Sequence, residues 1–96
     1  MDRFFIIYSV NFSKDAQKTI RKWKKSNSVA LKKLKELLPE LSLHPRTGKG
    51  HPEPMKGGND IVYSRHITAH DRIIYNIYDD EVLVSVVEVE GHYKDK

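Results

Sequence analysis

The chain contains no cysteine, which excludes a disulfide framework and a zinc site built on thiolates, and which fits a reducing compartment. It also has no apolar stretch near the roughly 20 residues that a membrane-spanning helix requires. Its N-terminal apolar run is too short for a secretory signal and lacks a small-residue cleavage site. We therefore expect a cytoplasmic protein, and its 96 residues predict one domain over residues 1–96.

Acidic residues are scarce in the first half of the chain, and basic residues are absent from one stretch of the second half. Between Lys14 and Glu36, nine lysines and arginines stand against two acids, a local excess of +7, whereas residues 79–91 hold five acids and no base. A basic surface attracts polyanions such as nucleic acid through counterion release. The alternative is an ordinary solvated face on two amphipathic helices, with the acidic stretch in a hairpin turn.

Helical periodicity is confined to the first half of the chain. A β-prone run at residues 4–9 predicts a first strand, and Asn11 or Ser13 can cap a helix that runs to about residue 25. A second helix, with leucines along one face, follows a turn at residues 26–28. The apolar stripe of the first helix consists of Ala16, Ile20 and Trp23.

Strand signals fill the second half of the chain. Pro39 is expected to kink or end the second helix, and a loop rich in glycine and proline follows at residues 44–60. Three β-rich runs separated by short gaps then indicate antiparallel hairpins. These runs are residues 61–67, 72–78 and 82–89. The order β-α-α-β-β-β predicts an α+β fold, with both helices packed on one face of a small, mainly antiparallel sheet and the other face open.

The stretch GKGHPEPMK, residues 48–56, places Glu53 between two prolines. Each proline fixes its own φ at about −65° and biases the preceding residue toward extended backbone. The segment is therefore neither helix nor central strand, but a stiff peptide that holds one carboxylate in a cationic stretch. The simpler alternative is a rigid surface loop whose glutamate is only a solvated charge.

Alternation along the first strand of the hairpin puts Tyr63, Arg65 and Ile67 on one side of the sheet. A four-residue loop would pair Ile67 with Arg72. Because cross-strand neighbours share a face, Arg65 and Arg72 are then expected together on the open side.

Alternation on the last strand puts Val86 and Val89 on opposite sides of the sheet. Gly91 can permit a bulge that re-aims His92 and Tyr93. The alternative for this pair is a frayed chain end.

Cleavage of RNA by transesterification requires the residue types that these segments supply. The 2′-hydroxyl attacks the adjacent phosphate, so a carboxylate can serve as base, arginine can stabilise the charge that builds, and histidine can protonate the leaving 5′-oxygen. This chemistry needs no metal or cofactor. The five histidines offer no convincing metal set, because His66 and His70 flank a predicted turn rather than share a helical face. A serine or cysteine nucleophile is not indicated either.

In their order and spacing, GKGHPEPMK, SRHITAHDRIIY and the terminal GHY resemble YoeB/Txe-type toxins of the RelE superfamily of bacterial toxin–antitoxin systems. The resemblance covers most of the chain and is strongest over residues 48–93. It implies a RelE-like fold and a ribosome-dependent mRNA endonuclease that inhibits translation. By position, it implies that Glu53 is the general base, Arg72 the phosphate-stabilising group, His92 the general acid, and Tyr93 the residue that orients substrate.

The resemblance also implies RNA contacts from Lys49, Lys56, Arg65 and His66. The family usually has paired arginines where this chain has Arg65 and His66. One phosphate contact is therefore either weaker or supplied by protonated His66. The two glutamates that precede His92 are expected to raise its pKa, which suits an acid.

Two macromolecular partners follow from the resemblance. The basic helices would contact ribosomal RNA while mRNA enters the open face. The lysines assigned to the ribosome are Lys22, Lys25, Lys32 and Lys33. The second partner is an antitoxin of the YefM/Axe type, whose acidic, partly disordered tail would cover or distort the site. A toxin dimer also fits.

Three other interpretations stay open on sequence alone. A non-catalytic basic domain that binds RNA or DNA would need the lysines but not Glu53 or His92. A superfamily cousin that poisons DNA gyrase generally lacks the Glu/Arg/His set. A toxin inactivated by drift would keep these residues without the activity.

Overall fold

Two helices cover one face of a five-stranded sheet in the computed structural model, which describes residues 6–91. The helices are α1 (Lys14–Ser26) and α2 (Ser28–Leu43). The strands are β1 (Ser9–Phe12), β2 (Glu53–Pro54), β3 (Val62–His66), β4 (Asp71–Tyr78) and β5 (Leu83–Gly91). The predicted α+β order is confirmed, with the short β2 added inside the proline-rich loop. The predictions for His92 and Tyr93 lie outside the described residues.

The sheet order is β1-β5-β4-β3-β2, so the last strand is inserted beside the first. The β1–β5 pair is parallel, and the other three pairs are antiparallel. The core lies between this sheet and the helices. Its fully or nearly buried side chains include Ala16, Trp23, Leu34, Leu37, Leu41, Ile73, Tyr75, Ile77, Val84 and Val86. We call the opposite surface of the sheet, which carries Ser64, His66 and Arg72, the open face.

Local hydrogen bonds set where the helices begin. The Ala16 N–H donates to Ser13 Oγ at 3.0 Å, so Ser13 is the cap of α1 rather than Asn11. Asn27 caps α2 in the same way, accepting from the Ala30 N–H at 3.3 Å. Pro39 does not end α2, which continues to Leu43. Proline lacks the N–H that would otherwise donate to the Lys35 carbonyl. Both Pro39 and Lys35 are exposed, so water can donate a hydrogen bond to that carbonyl instead.

The first strand begins later than predicted. Residues 4 and 5 lie outside the described residues, and residues 6–8 are not strand. The Tyr8 N–H donates to the Ser42 carbonyl at 2.9 Å, which ties the segment before β1 to the end of α2. No helix within residues 6–91 is both long and apolar enough to cross a membrane.

The register of the β3–β4 hairpin differs from the prediction by one residue. His66, and not Ile67, pairs with Arg72, and the Ile67 N–H donates to the Asp71 carbonyl at 2.8 Å. The Thr68 hydroxyl donates a hydrogen bond to the Asp71 carboxylate at 2.6 Å and so stabilises a turn that is shorter than predicted. Asp71 is therefore part of the strand. The shift puts Arg72 on the open face and Arg65 on the core face.

A bulge interrupts β5. Ile74 pairs with Glu88 while Tyr75 pairs with Val86, so Val87 is the additional residue on β5. As a result Val86 and Val89 are both buried on the core side, and the prediction that they alternate is wrong. The Ser13 hydroxyl donates to the Val87 carbonyl at 2.7 Å, so the start of α1 is attached to the bulge.

Candidate active site

Glu53 and Arg72 share the open face of the sheet. Glu53 pairs with Ser64, and Arg72 pairs with His66, two residues further along β3. Since directly opposed residues point to one face, both charged groups lie on the surface away from the helices. Two strand spacings and two residue steps separate their Cα atoms by about 12 Å. The two side chains can therefore act on one bound phosphodiester from different sides.

The segment around Glu53 is a two-residue edge strand. Glu53 is exposed, and the Met55 N–H donates to the Val62 carbonyl at 2.8 Å. The flanking prolines are tolerated because an edge strand does not need every N–H as a ladder donor. The predictions that this peptide is extended and that it is not a central strand are confirmed.

The Arg72 guanidinium is partly exposed and lies beside a carboxylate. Its Nε is 3.7 Å from Glu90 Oε1, and the two side chains are 43% and 33% exposed. Glu88 lies on the same face, opposite Ile74. Partial burial and then the nearby Glu90 carboxylate raise the pKa of Glu88. Arg72 therefore lies near the carboxylates of Glu88 and Glu90, and a phosphate that binds Arg72 would also have to approach these two acids.

Two histidines lie near Arg72: His66 is its partner on β3, and His70 is in the turn that leads into β4. The rings of His51 and His66 form an edge-on pair with centroids 6.5 Å apart. His66, His70 and Arg72 line a cleft of about 190 Å³, together with the turn residues Ala69 and Asp71. Within residues 6–91 no group of three or more histidines and acids is arranged to hold a metal ion.

Arg65 does not reach the open face, which corrects its predicted RNA contact. Its side chain is 1% exposed. Its Nη2 donates to the carbonyls of His44 and Pro45 at 2.8 and 3.1 Å, and its Nη1 donates to the Lys49 carbonyl at 3.2 Å. Its Nε donates to the Tyr75 hydroxyl at 3.2 Å. A guanidinium held in this way contacts the protein and not a nucleic acid.

The six lysines that are predicted to contact RNA or the ribosome are all exposed. Four of them lie on the two helices, on the side of the sheet opposite Glu53. We call this surface the basic helix face, and it consists of Lys22, Lys25, Lys32 and Lys33. Lys49 and Lys56 flank the Glu53 segment in the chain, and are the predicted RNA contacts nearest to it in sequence.

The role of Asp71 was not predicted from the sequence. Asp71 is 7% exposed, and its carboxylate accepts hydrogen bonds from the Thr68 hydroxyl and, at 3.5 Å, from the Asn27 side-chain amide. Asp71 therefore connects the turn beside Arg72 to the junction of α1 and α2. The threonine three residues before an aspartate was the available signal, since such pairs stabilise turns. The described chain ends at Gly91, which pairs with Asp71.

Comparison with known proteins gives one consistent result. A family model described as a YoeB-like toxin of bacterial type II toxin–antitoxin systems matches residues 12–93. The chain is 32% identical over 85 residues to toxin YoeB of Mycobacterium bovis, covering 88% of this chain and 98% of that protein.

Two solved Staphylococcus aureus structures resemble the chain throughout. One is described as a YoeB dimer, with 25% identity and a TM-score of 0.75, covering 90% of this chain and 98% of that one. The other is a heterotetrameric YoeB–YefM toxin–antitoxin complex, with 25% identity, a TM-score of 0.74 and the same coverage.

Proposed function

We propose that this chain, which belongs to the YoeB-like toxins of bacterial type II toxin–antitoxin systems, cleaves mRNA on the ribosome. One observation supports the activity most directly. Glu53 and Arg72, a potential base and a potential phosphate ligand, stand on the same open surface of the sheet. A domain that only bound nucleic acid would need the cations but would have no use for a fixed carboxylate near them.

Glu53 starts the reaction in this proposal. Its carboxylate takes the proton of a ribose 2′-hydroxyl, and the freed 2′-oxygen forms a bond to the adjacent phosphorus. Arg72 donates hydrogen bonds to the non-bridging oxygens, where negative charge increases in the transition state. To do so its guanidinium exchanges or shares its contact with Glu90, 3.7 Å away.

His92 completes the reaction as general acid. It gives a proton to the 5′-oxygen as the bond between that oxygen and phosphorus breaks, which leaves a 2′,3′-cyclic phosphate and a 5′-hydroxyl. His92 directly follows Gly91, whose strand partner is Asp71, the residue before Arg72. Tyr93 would orient the substrate beside His92.

In this proposal the ribosome positions the mRNA, which a chain of this size cannot do well by itself. The basic helix face would bind ribosomal RNA, and the open face on the other side of the sheet would receive mRNA, with Lys49, Lys56 and His66 as backbone contacts. A codon held by the ribosome is already positioned, which lowers the entropic cost of bringing the phosphate to Glu53. Such an activity would take place in the cytoplasm.

The expected protein partner is an antitoxin of the YefM/Axe type. The related Staphylococcus aureus toxin is found with YefM in a heterotetramer, and that toxin also occurs as a dimer. We therefore propose a YefM-like antitoxin and a toxin dimer for this chain.

Primer extension on an mRNA incubated with ribosomes, with and without the protein, tests the proposal. We expect extension to stop at new 5′ ends at defined codons, and we expect these 5′-hydroxyl ends to accept phosphate from a polynucleotide kinase. Glu53→Gln should lose the cleavage, whereas the matched exposed variant Glu36→Gln on α2 should keep it. Ribosome binding without any cleavage would favour the non-catalytic nucleic-acid-binding domain.

A further inference from the structure

The segment before Glu53 depends on one buried side chain. The loop at residues 44–50 leaves the end of α2, runs beneath the edge of the sheet and leads into β2 three residues later. Three of its carbonyls, those of His44, Pro45 and Lys49, accept hydrogen bonds from the Arg65 guanidinium. The guanidinium therefore links both ends of the loop to strand β3.

The packing around Arg65 leaves little freedom. A Cβ added to Gly50 would lie 2.6 Å from Arg65 Cγ and 2.6 Å from the His66 carbonyl oxygen. Gly50 has a φ of +86°, and Gly48 a φ of +98°, where L residues are rarely found. The loop therefore follows the arginine side chain closely and needs glycine to do so.

Tyr75 fixes the arginine from the other side. Its hydroxyl accepts from Arg65 Nε and donates to the Pro45 carbonyl at 2.7 Å. Burial raises the pKa of Tyr75, so its hydroxyl remains a neutral donor at physiological pH. The hydrogen-bond partners of the guanidinium named above are all neutral oxygens, so oriented dipoles contribute to the stabilisation of the buried charge, and this contribution is lost if the loop moves away.

Strand β3 thus holds the Glu53 segment through three successive residues. Ser64 pairs with Glu53, Arg65 binds the preceding loop from the core side, and the His66 N–H donates to the Gly50 carbonyl at 2.7 Å. We propose that Arg65 is the positioning residue for Glu53, because its hydrogen bonds to the 44–50 loop determine where the Glu53 carboxylate stands. This inference rests on the proposed function, in which that carboxylate is the base.

The decisive variants change the hydrogen bonds and keep the volume. Arg65→Lys keeps a cation but cannot donate in three directions from a planar group. Tyr75→Phe keeps the ring and removes the hydroxyl. We expect Arg65→Lys to lower the single-turnover cleavage rate on programmed ribosomes by about 10²-fold with little change in KM, and Tyr75→Phe to lower it less. The control is Val84→Ala, a core truncation on β5, two strands away from β3.

A double-variant cycle separates positioning from general destabilisation. If Arg65 acts through Glu53, Arg65→Lys should lower the rate strongly in the wild type but hardly at all in a Glu53→Gln background. The inference is overturned if the loss is the same in both backgrounds, if Val84→Ala matches it at equal stability, or if Arg65→Lys cleaves normally.

A second measurement keeps the two proposals distinguishable. If the wild type does not cleave at all, the proposed function fails. Hydrogen exchange at the His66 amide, which binds the Gly50 carbonyl, then decides the role of Arg65 by itself. Faster exchange in Arg65→Lys than in Val84→Ala would support anchoring of the loop, and equal exchange would overturn it.

Discussion

Replacing Arg72 with alanine should lower the cleavage rate strongly while leaving the fold intact. Within residues 6–91 the recorded charge contact of Arg72 is the pair with Glu90, at 3.7 Å between partly exposed side chains. Pairs of this kind contribute about 0.5 kcal/mol or less after solvent screening. For a domain of this size such a loss lowers the melting temperature by roughly 2–4 °C.

Trp23 provides the opposite case, since it is 6% exposed and belongs to the core. Trp23→Ala should cost about 3–5 kcal/mol, because a large buried side chain is removed and a cavity remains. That loss corresponds to a fall of at least about 12 °C in melting temperature.

The assay combines thermal unfolding with single-turnover cleavage of ribosome-bound mRNA. Arg72→Ala should lose about 10²–10³-fold in rate, the usual effect of removing one donor to a developing oxyanion. Lys35→Ala, which removes one exposed charge from α2, serves as the control for net charge. The reasoning is refuted if Arg72→Ala unfolds as early as Trp23→Ala, which would make the arginine structural, or if it cleaves at the wild-type rate.

Further changes test the rest of the site and the fold. Replacing all four lysines of the basic helix face with alanine should weaken ribosome pelleting and flatten its salt dependence, and unchanged pelleting would make this face merely solubilising. Glu53→Gln should lower single-turnover cleavage by about 10²–10⁴-fold at unchanged ribosome binding. Changing both prolines that flank Glu53 to glycine should lower the rate without changing the shape of its pH profile. Hydrogen bonds from Arg46 and then Tyr8 hold the pKa of Asp79 below its usual value, so its stabilisation is present at neutral pH and is lost as pH falls through that lowered pKa. Asp79→Asn should therefore melt slightly earlier than Asp80→Asn at pH 7, and the two should converge in strong acid.

Local patterns predicted the elements of this fold well. The caps, the helical stripes and the short gaps between β-rich runs are all determined by residues close in sequence. The order of the elements, and the presence of one open face of the sheet, could therefore be predicted from the sequence. The extended character of the Glu53 segment followed from the two prolines alone, because their φ restriction needs no tertiary partner.

Register was the part that local patterns could not determine. A shift of one residue in the register changes which face every side chain of a strand is on. In this chain the β3–β4 turn is shortened by a hydrogen bond between Thr68 and Asp71. That single step separated Arg65, which is buried on the core face, from Arg72, which lies on the open face. A usable signal was nevertheless present, since Arg65 lies between Tyr63 and Ile67, and two apolar neighbours on one face favour the core side.

The bulge at Val87 and the late start of β1 have tertiary causes. The bulge carbonyl accepts a hydrogen bond from the Ser13 hydroxyl, and the segment before β1 binds the end of α2. Both contacts join parts of the chain that are distant in sequence, so no local window contains them. In the same way, the partners of Arg65 lie 10 to 21 positions away from it.

The position of β5 between β1 and β4 has a consequence for how the protein is made. The hydrogen bond from Ser13 to the Val87 carbonyl joins residues 74 positions apart, and the whole β1–β5 ladder is equally long-range. A chain emerging from a ribosome therefore exposes both helices and four strands before the strand that unites them has been synthesised. Such non-local sheets form slowly. We expect a nascent or truncated chain without β5 to be inert, because the sheet that carries Glu53 and Arg72 is then incomplete.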